Sequence, residues 1–458
     1  MANSSIATLI TAQHAFFKTG ATRSISFRKQ QLKRLQQLLR AHEDQLYEAI
    51  YADFKKSRFE TFTSEFALLQ QDLDDALKNT KRWSAKTRVA TNIANFPGKS
   101  YLQPEPLGVS LVIGAWNYPY LLSLGPVIPA IAAGNTVVLK PSELPEATAM
   151  LLQNLVAEYF DPEFFTVVTG GVEVSTTLLE QKFQKIFFTG SPRVGQIVYQ
   201  AAAKQLTPVT LELGGKSPTF VTKHANLKRT VQRLVWGKFI NAGQTCIAPD
   251  YVWVEAAIAE TFLELLTSQI RSMDYAIENG NYMQIINTDH VDRLLRYLED
   301  ATVYFGGQYD RDERFIAPTI LTDVTFESRC MQEEIFGPIL PVLVYDDLKD
   351  ALEKTSQLPK PLSCYVFSEN TNEQHQITET LSFGGGAIND TIMHISNPEL
   401  PFGGVGKSGI GAYHGEAGFK AFSHTKSMLK RANWLELPLK YPPYSKRKLR
   451  WIKRLLKL

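Results

Sequence analysis

Five short apolar segments rich in β-branched residues, at 109–113, 136–139, 165–168, 186–189 and 209–213, recur along the middle of the chain with helix-length stretches between them. That alternation leaves few folds open. Parallel strands cannot be joined by a tight turn, so each crossover carries a helix, and the resulting sheet is covered on both faces. The expectation is a doubly wound α/β domain. A second alternation from Tyr251 to about Asp390 predicts another α/β domain. Before the first strand, Leu32, Leu35, Leu39, Leu46 and Ile50 fall at helical spacings within 26–54, and a further helix is predicted over 63–83. Residues 88–103 read as an excursion out of the sheet.

A chain of 458 residues, 44% hydrophobic and 21% charged, is long enough for two or three folded domains. The three cysteines, Cys246, Cys330 and Cys364, are too few and too far apart for a disulfide framework, and no C-x-x-C or H-E-x-x-H spacing occurs. No metal is expected. No lysine or arginine precedes Lys18 and the apolar run 6–12 is short, so the N-terminus does not read as a secretion signal and a cytoplasmic setting is expected. Residues 106–139 carry no charge, a stretch longer than the ~20 apolar residues that span a bilayer. Pro119, Pro126 and Pro129 argue instead for a buried strand, a turn and a buried helix.

The net charge of +3 conceals an asymmetry, because 437–458 holds eight basic residues and no acid, leaving the rest at −5. On a helical wheel of about 100° per residue, Leu449, Trp451, Ile452, Leu455, Leu456 and Leu458 share one half and Arg450, Lys453, Arg454 and Lys457 the other. This basic amphipathic helix suits peripheral contact with an anionic membrane; a solvated tail, or a helix docked on the protein's own body, is the alternative. Nucleic acid is not expected, since the tail offers an apolar face rather than a stacking platform.

Three runs compete for a phosphate or dinucleotide. Gly404 to Gly409 fits G-x-G-x-x-G, but prolines rather than a strand precede it, and a P-loop would need glycine at Pro401. The run Phe188 to Gly195, with Gly190 and Ser191, follows a predicted strand and opens a predicted helix, the setting for an anion at a helix N-terminus. Lys140-Pro141-Ser142-Glu143 ends another strand; lysine suits a phosphate or ribose oxygen, and glutamate a ribose diol.

Two further residues carry chemistry. Cys246 ends the glycine-rich polar run Gly243-Gln244-Thr245-Cys246, which presents a thiol rather than packing it in a core. Glu212 stands between leucines at a strand end beside Gly214 and Gly215; partial desolvation there raises a carboxyl pKa and suits a general base. Cys364 lies in an apolar strand and Cys330 lacks a loop setting, while His394 and His414 read as loop packing.

Together with Trp116-Asn117-Tyr118-Pro119 and Glu333-Glu334-Ile335-Phe336-Gly337-Pro338, these runs resemble the ordered motifs of the NAD(P)-dependent aldehyde dehydrogenase superfamily, over about 23–427. The residues after Cys246 and Tyr413-His414-Gly415 are similar to its class 3 and fatty aldehyde branch. The resemblance implies a Rossmann-like NAD(P)-binding domain over 1–87 and 104–213, a catalytic α/β domain over 214–408, and a small β bridging element, 88–103 with 409–430, that pairs subunits into a homodimer. It implies that Cys246 attacks the aldehyde, that Asn117 and the Cys246 N–H hold the oxyanion, and that Glu212 activates the water that hydrolyses the thioester. Lys140 and Glu143 would bind the adenosine ribose, Gly190, Ser191 and Gly195 the pyrophosphate, and Glu334 and Phe336 the nicotinamide side. Glu143 favours NAD because a carboxylate repels a 2′-phosphate, whereas the class 3 likeness keeps NADP open.

The expected reaction is oxidation of medium or long-chain, or other apolar, aldehydes to carboxylic acids. The alternatives are a coenzyme A-acylating enzyme of the same fold, which would not need Glu212 as a base, and a non-catalytic membrane-associated binding protein.

Overall fold

The computed structural model describes residues 3–456. An arm comes first in chain order: β1 (Thr87–Val89) pairs antiparallel with β2 (Gly98–Pro106). The chain then enters a sheet through β3 (Val109–Ile113), β4 (Thr136–Lys140), β5 (Phe165–Val167), β6 (Lys185–Thr189) and β7 (Val209–Glu212), all parallel. These are the five apolar segments, and β3, β4 and β6 are buried throughout, as a sheet covered on both faces requires.

A second sheet follows with β8 (Pro218–Val221), β9 (Tyr251–Glu255) and β10 (Thr302–Phe305). A small hairpin of β11 (Tyr309–Asp310) and β12 (Phe315–Ile316) interrupts it. The sheet continues with β13 (Thr319–Thr322), β14 (Ile339–Tyr345), β15 (Ser363–Phe367) and β16 (Gly385–Ile388). Its order is β10-β13-β14-β9-β8-β15-β16, parallel except for β10 against β13.

The final strands return to earlier elements. β17 (Gly409–Ile410) pairs antiparallel with β7, placing Gly409 opposite Glu212, and gives the first sheet the order β17-β7-β6-β3-β4-β5. β18 (Ser423–Arg431) pairs with β2 over nine positions and completes the three-stranded arm. The segment 409–430 is therefore divided: its start belongs to the first sheet and the helix Gly415–Ala421 packs on the helix Leu121–Ala133, so only β18 joins the arm.

The uncharged stretch folds as β3, the helix Leu121–Ala133 and β4; every residue of that helix is buried, and it stops at Gly134, whose φ of 96° is left-handed. The N-terminal helical region differs from expectation in three ways. A helix at Asn3–Lys18 was not legible, because its buried apolar face is only Ile6 and Ile10; Gln13 Nε2 fixes it by donating to Val137 O at 3.1 Å and Pro162 O at 3.0 Å. The region 26–54 is two helices, Ile25–Ala41 and Glu43–Phe54, broken at His42. Residues 63–83 begin in a π turn, Phe62–Phe66, that runs into the helix Ala67–Trp83.

The basic tail forms a helix, Lys446–Leu455, whose Leu449, Trp451, Leu455 and Leu456 are exposed. Lys457 and Leu458 lie outside the described residues. No described helix is long and apolar enough to cross a membrane.

Candidate active site

The C-terminal ends of β3, β4, β6 and β7 face the N-terminal ends of β9, β14 and β15 across a cavity of about 1180 Å³. Strand ends of a parallel sheet are where such a cavity forms, because the loops diverge there. Asn117, Lys140, Glu143, Gly190, Ser191, Glu212, Cys246, Glu334 and Phe336 all line it. Gly195 lies one helical turn behind the rim.

Around the thiol, the backbone is unusual. Asn241, Ala242 and Gly243 have φ of 55°, 51° and 73°, three consecutive left-handed residues that bring the chain sharply round to Cys246. Gly243 is required, since a Cβ there would lie 2.3 Å from Gly337 O. Asn117 Nδ2 donates to Gln244 O at 3.0 Å, which occupies one of its two hydrogens and leaves the other to the cavity. Asn241 Nδ2 bridges Asn117 O at 2.9 Å and Gln244 O at 3.0 Å, and Tyr118 and Thr245 share a hydroxyl hydrogen bond of 2.6 Å. The two loops are thus sewn together.

Burial favours the neutral form of the acids near the thiol. Glu212 is 3% exposed, neither carboxyl oxygen has a hydrogen-bond partner among the described residues, and burial pushes its pKa well above the carboxylate range. Burial also raises the Cys246 thiol, with Glu334 and then Glu212 adding to the shift. Burial therefore favours the protonated form of both the thiol and the acid. Glu334 is pushed up to about 8, first by burial and then by Asp250.

The loop carrying Glu334 and Phe336 is held by charges. Lys216 Nζ pairs with Asp250 and donates to Cys330 O at 2.7 Å and Glu333 O at 3.0 Å, while Asp250 accepts from the Ile335 N–H at 3.0 Å. Arg293 donates to Ile335 O at 2.9 Å. Trp116 stands between His290 and Phe336, each ring centre 5.3 Å away. Sequence reasoning missed Lys216, Asp250, His290 and Arg293; the only available signal was that Lys216 and Asp250 adjoin the Glu212 and Cys246 runs.

At the other end, Ser191 caps the helix Pro192–Ala203 by accepting from Val194 N–H, so that helix N-terminus opens on the cavity. Gly190 and Gly195 allow close packing, because a Cβ would lie 2.6 Å from the Phe188 ring and 2.6 Å from Leu213 respectively. Lys140 Nζ is 2.6 Å from Glu143 Oε2. Burial raises the Glu143 carboxyl, but its hydrogen bond to Lys140 prevails and the pKa is lowered. The buried Thr189 Oγ1, at the cavity wall, has no protein partner. An anion-accepting helix end, a cation and an ionised carboxylate fit the phosphates and ribose of a dinucleotide.

The other runs resolve differently. Gly404 to Gly409 makes a short turn, Gly406–Ser408, leading into β17 rather than a phosphate cradle, though Lys407 reaches the cavity. Cys330 and Cys364 are buried. His414 is buried and His394 half-buried beside the Phe402 ring, and desolvation holds each at about 4.

The aldehyde dehydrogenase family model matches residues 2–428. The 4,4'-diaponeurosporen-aldehyde dehydrogenase of Staphylococcus aureus is 46% identical over 447 residues, covering 97% of both chains. Aldehyde dehydrogenase family 3 member A2 of Pongo abelii is 44% identical, covering 95% of this chain and 90% of its own. The dimeric NADP-preferring aldehyde dehydrogenase of Mus musculus is 42% identical, covering 96% and 98%. Among solved structures, the substrate-bound Staphylococcus aureus AldH superposes with a TM-score of 0.96 at 45% identity, over 98% of this chain and 99% of that one. A Mycobacterium tuberculosis aldehyde dehydrogenase complexed with NAD+ gives 0.85 at 26% identity, over 93% and 90%. A non-catalytic binding role is set aside by these matches. The chain belongs to the aldehyde dehydrogenase family and is an enzyme that oxidises aldehydes with a nicotinamide dinucleotide.

Proposed function

We propose that this enzyme converts medium or long-chain, or other apolar, aldehydes to carboxylic acids, with Cys246 as nucleophile, Asn117 and the Cys246 N–H as oxyanion donors, and Glu212 as the base that activates water. The observation that carries the reading is the meeting of Cys246, Asn117 and a wholly unpaired Glu212 on one cavity. Its walls include Leu68, Trp116, Leu121, Ile240, Ile392 and Phe402, which suit an apolar chain. The Staphylococcus aureus relative is named for a 4,4'-diaponeurosporen-aldehyde, which agrees.

The chemistry follows from the electrostatics. Burial favours the protonated thiol, so Cys246 must pass its proton to water or to Glu212 in its ionised form before its sulfur attacks the carbonyl carbon. The forming C–S bond places negative charge on the former carbonyl oxygen, where the free Asn117 N–H can meet it. Bound dinucleotide supplies the hydride acceptor. Lys140, Glu143, Gly190 and Ser191 hold its adenosine and phosphates in this reading, Gly195 letting their helix pack close on Leu213, and Glu334 and Phe336 hold its nicotinamide half. After oxidation the acyl group is a thioester on Cys246. Glu212, once ionised, takes a proton from water, whose oxygen attacks the acyl carbon and returns the thiolate. A coenzyme A-acylating enzyme would have no use for this unpaired carboxylate.

The ionised Glu143 favours NAD over NADP, because it would repel a 2′-phosphate. The outer edge of β18 is unpaired, and Met428 and Leu429 on it are exposed, which supports pairing with a second copy; the mouse relative is named as dimeric. The tail helix, with its exposed apolar residues opposite Lys and Arg, supports peripheral contact with an anionic membrane from a cytoplasmic site. An aldehyde panel from short aliphatic to long and polyene, read as NADH release, tests the substrate class. Catalytic efficiency should rise with apolar length; a preference for short polar aldehydes would reverse the reading.

A further inference from the structure

We propose that Glu60 is a positioning residue of the catalytic centre: its carboxylate holds the left-handed run before Cys246 and so keeps the thiol in register with the Asn117 amide. The inference rests on the nucleophile and oxyanion assignments above.

Left-handed backbone at the non-glycine residues Asn241 and Ala242 persists only where its surroundings over-determine it. Most of the restraints come from the two loops themselves. Asn241 Nδ2 reaches Asn117 O and Gln244 O; Gln244 Nε2 donates to Asn241 O at 3.1 Å and Gln284 O at 3.2 Å. Glu60 is different in kind. It comes from the short helix Arg58–Thr61, far away in sequence, and its Oε1 accepts the backbone N–H of Asn241 at 2.7 Å, at the first residue of the strained run. Burial raises the Glu60 pKa, against Lys56 and this hydrogen bond, which lower it, and in either protonation state the carboxyl offers the amide an acceptor oxygen.

The same stretch of chain grips the other loop. Glu65, fully buried, is paired with Lys56 at 2.8 Å, and its Oε2 accepts from the N–H groups of Tyr120 at 2.9 Å and Leu121 at 3.1 Å, just beyond Asn117. Lys56 Nζ lies 4.3 Å from the centre of the Tyr118 ring. Glu65 itself stands in the π turn Phe62–Phe66, a widened helical turn of the kind found at functional sites, which follows directly on the helix that carries Glu60. Ser64 in that turn donates to Glu60 O at 2.6 Å, and Thr63 and Ser64 line the cavity. The stretch 58–66 thus gives Thr63 and Ser64 to the cavity wall and the Glu60 and Glu65 carboxyl groups to the two loops. Glu60 lines no part of the cavity, so it acts through Asn241 rather than on substrate.

The test compares Glu60→Ala and Glu60→Gln in the full chain, reading kcat, KM for NAD+ and, by calorimetry without aldehyde, NAD+ affinity. Glu60→Ala should lower kcat about tenfold, as loss of a buried hydrogen bond does, while KM and affinity for NAD+ stay within about twofold. Glu60→Gln keeps an oxygen where the amide needs it and should recover most of the loss. If Glu60→Ala does not fold, Glu60→Asp, which withdraws the carboxylate by one methylene, is read by the same split. A kcat within about twofold of the parent, or a fall in NAD+ affinity that parallels kcat, would overturn the inference. Cys246→Ala separates it from the reading beneath: that variant should be inactive, and full activity in it would overturn both.

Discussion

The Asn117 side-chain amide donates to the backbone carbonyl of Gln244 at 3.0 Å, so the group expected to meet the oxyanion is already anchored to the loop that carries Cys246. An anchored donor needs no reorganisation when charge develops. Asn117→Ala should therefore lower kcat by about 10²–10³, the usual cost of one oxyanion donor, with KM for NAD+ little changed. Steady-state kinetics with one aldehyde checks it.

Glu212→Gln should leave hydride transfer possible and stall hydrolysis. Rapid mixing should show a burst of NADH near one equivalent followed by a rate about a hundredfold slower, with an acyl-enzyme visible by mass spectrometry.

Glu334 is raised from 4.5 to about 8 in the folded protein, mainly by burial. The folded state therefore binds this proton more tightly than the unfolded chain. The stabilisation is complete below the unfolded value and is lost as pH rises through the folded one. Glu334→Gln removes that dependence, so thermal denaturation between about pH 6 and pH 9 should show a smaller fall in Tm for the variant than for the parent.

Glu143→Ala removes the carboxylate that faces a 2′-phosphate and frees Lys140. Its kcat/KM with NADP+ should rise relative to NAD+ by about tenfold, the effect of one removed close repulsion. Measuring both cofactors at low salt reads it.

For the tail, a chain ending at Leu437 should lose sedimentation with vesicles rich in phosphatidylserine while keeping full activity on a soluble aldehyde. Each basic residue near such a surface contributes about 1 kcal/mol, so binding should also weaken strongly with salt. Equal sedimentation of the two chains would exclude the helix as the contact.

How much of this was readable beforehand depends on how local the signal was. The first sheet was legible because β3, β4 and β6 are buried on both faces and so carry continuous β-branched runs. The helix Asn3–Lys18 was not, because a hydrogen-bonding glutamine rather than an apolar stripe ties it down. Nothing in the spacing of 409–430 marked its division between the first sheet and the arm, since β17 is only two residues long.

By itself the sequence determined the family and the parallel sheets, and it singled out Cys246, Glu212, Asn117 and the dinucleotide runs as candidates, because each lies in a short motif whose residue types suit the chemistry. The tertiary structure decided what those motifs could not contain. It set the protonation of Cys246 and Glu212 through burial, the clamping of the Glu334 loop by Lys216, Asp250 and Arg293, and the grip of Glu60 on Asn241 across 181 positions of chain. Desolvation and long-range hydrogen bonds depend on which distant segments meet, and a motif records only its own neighbours.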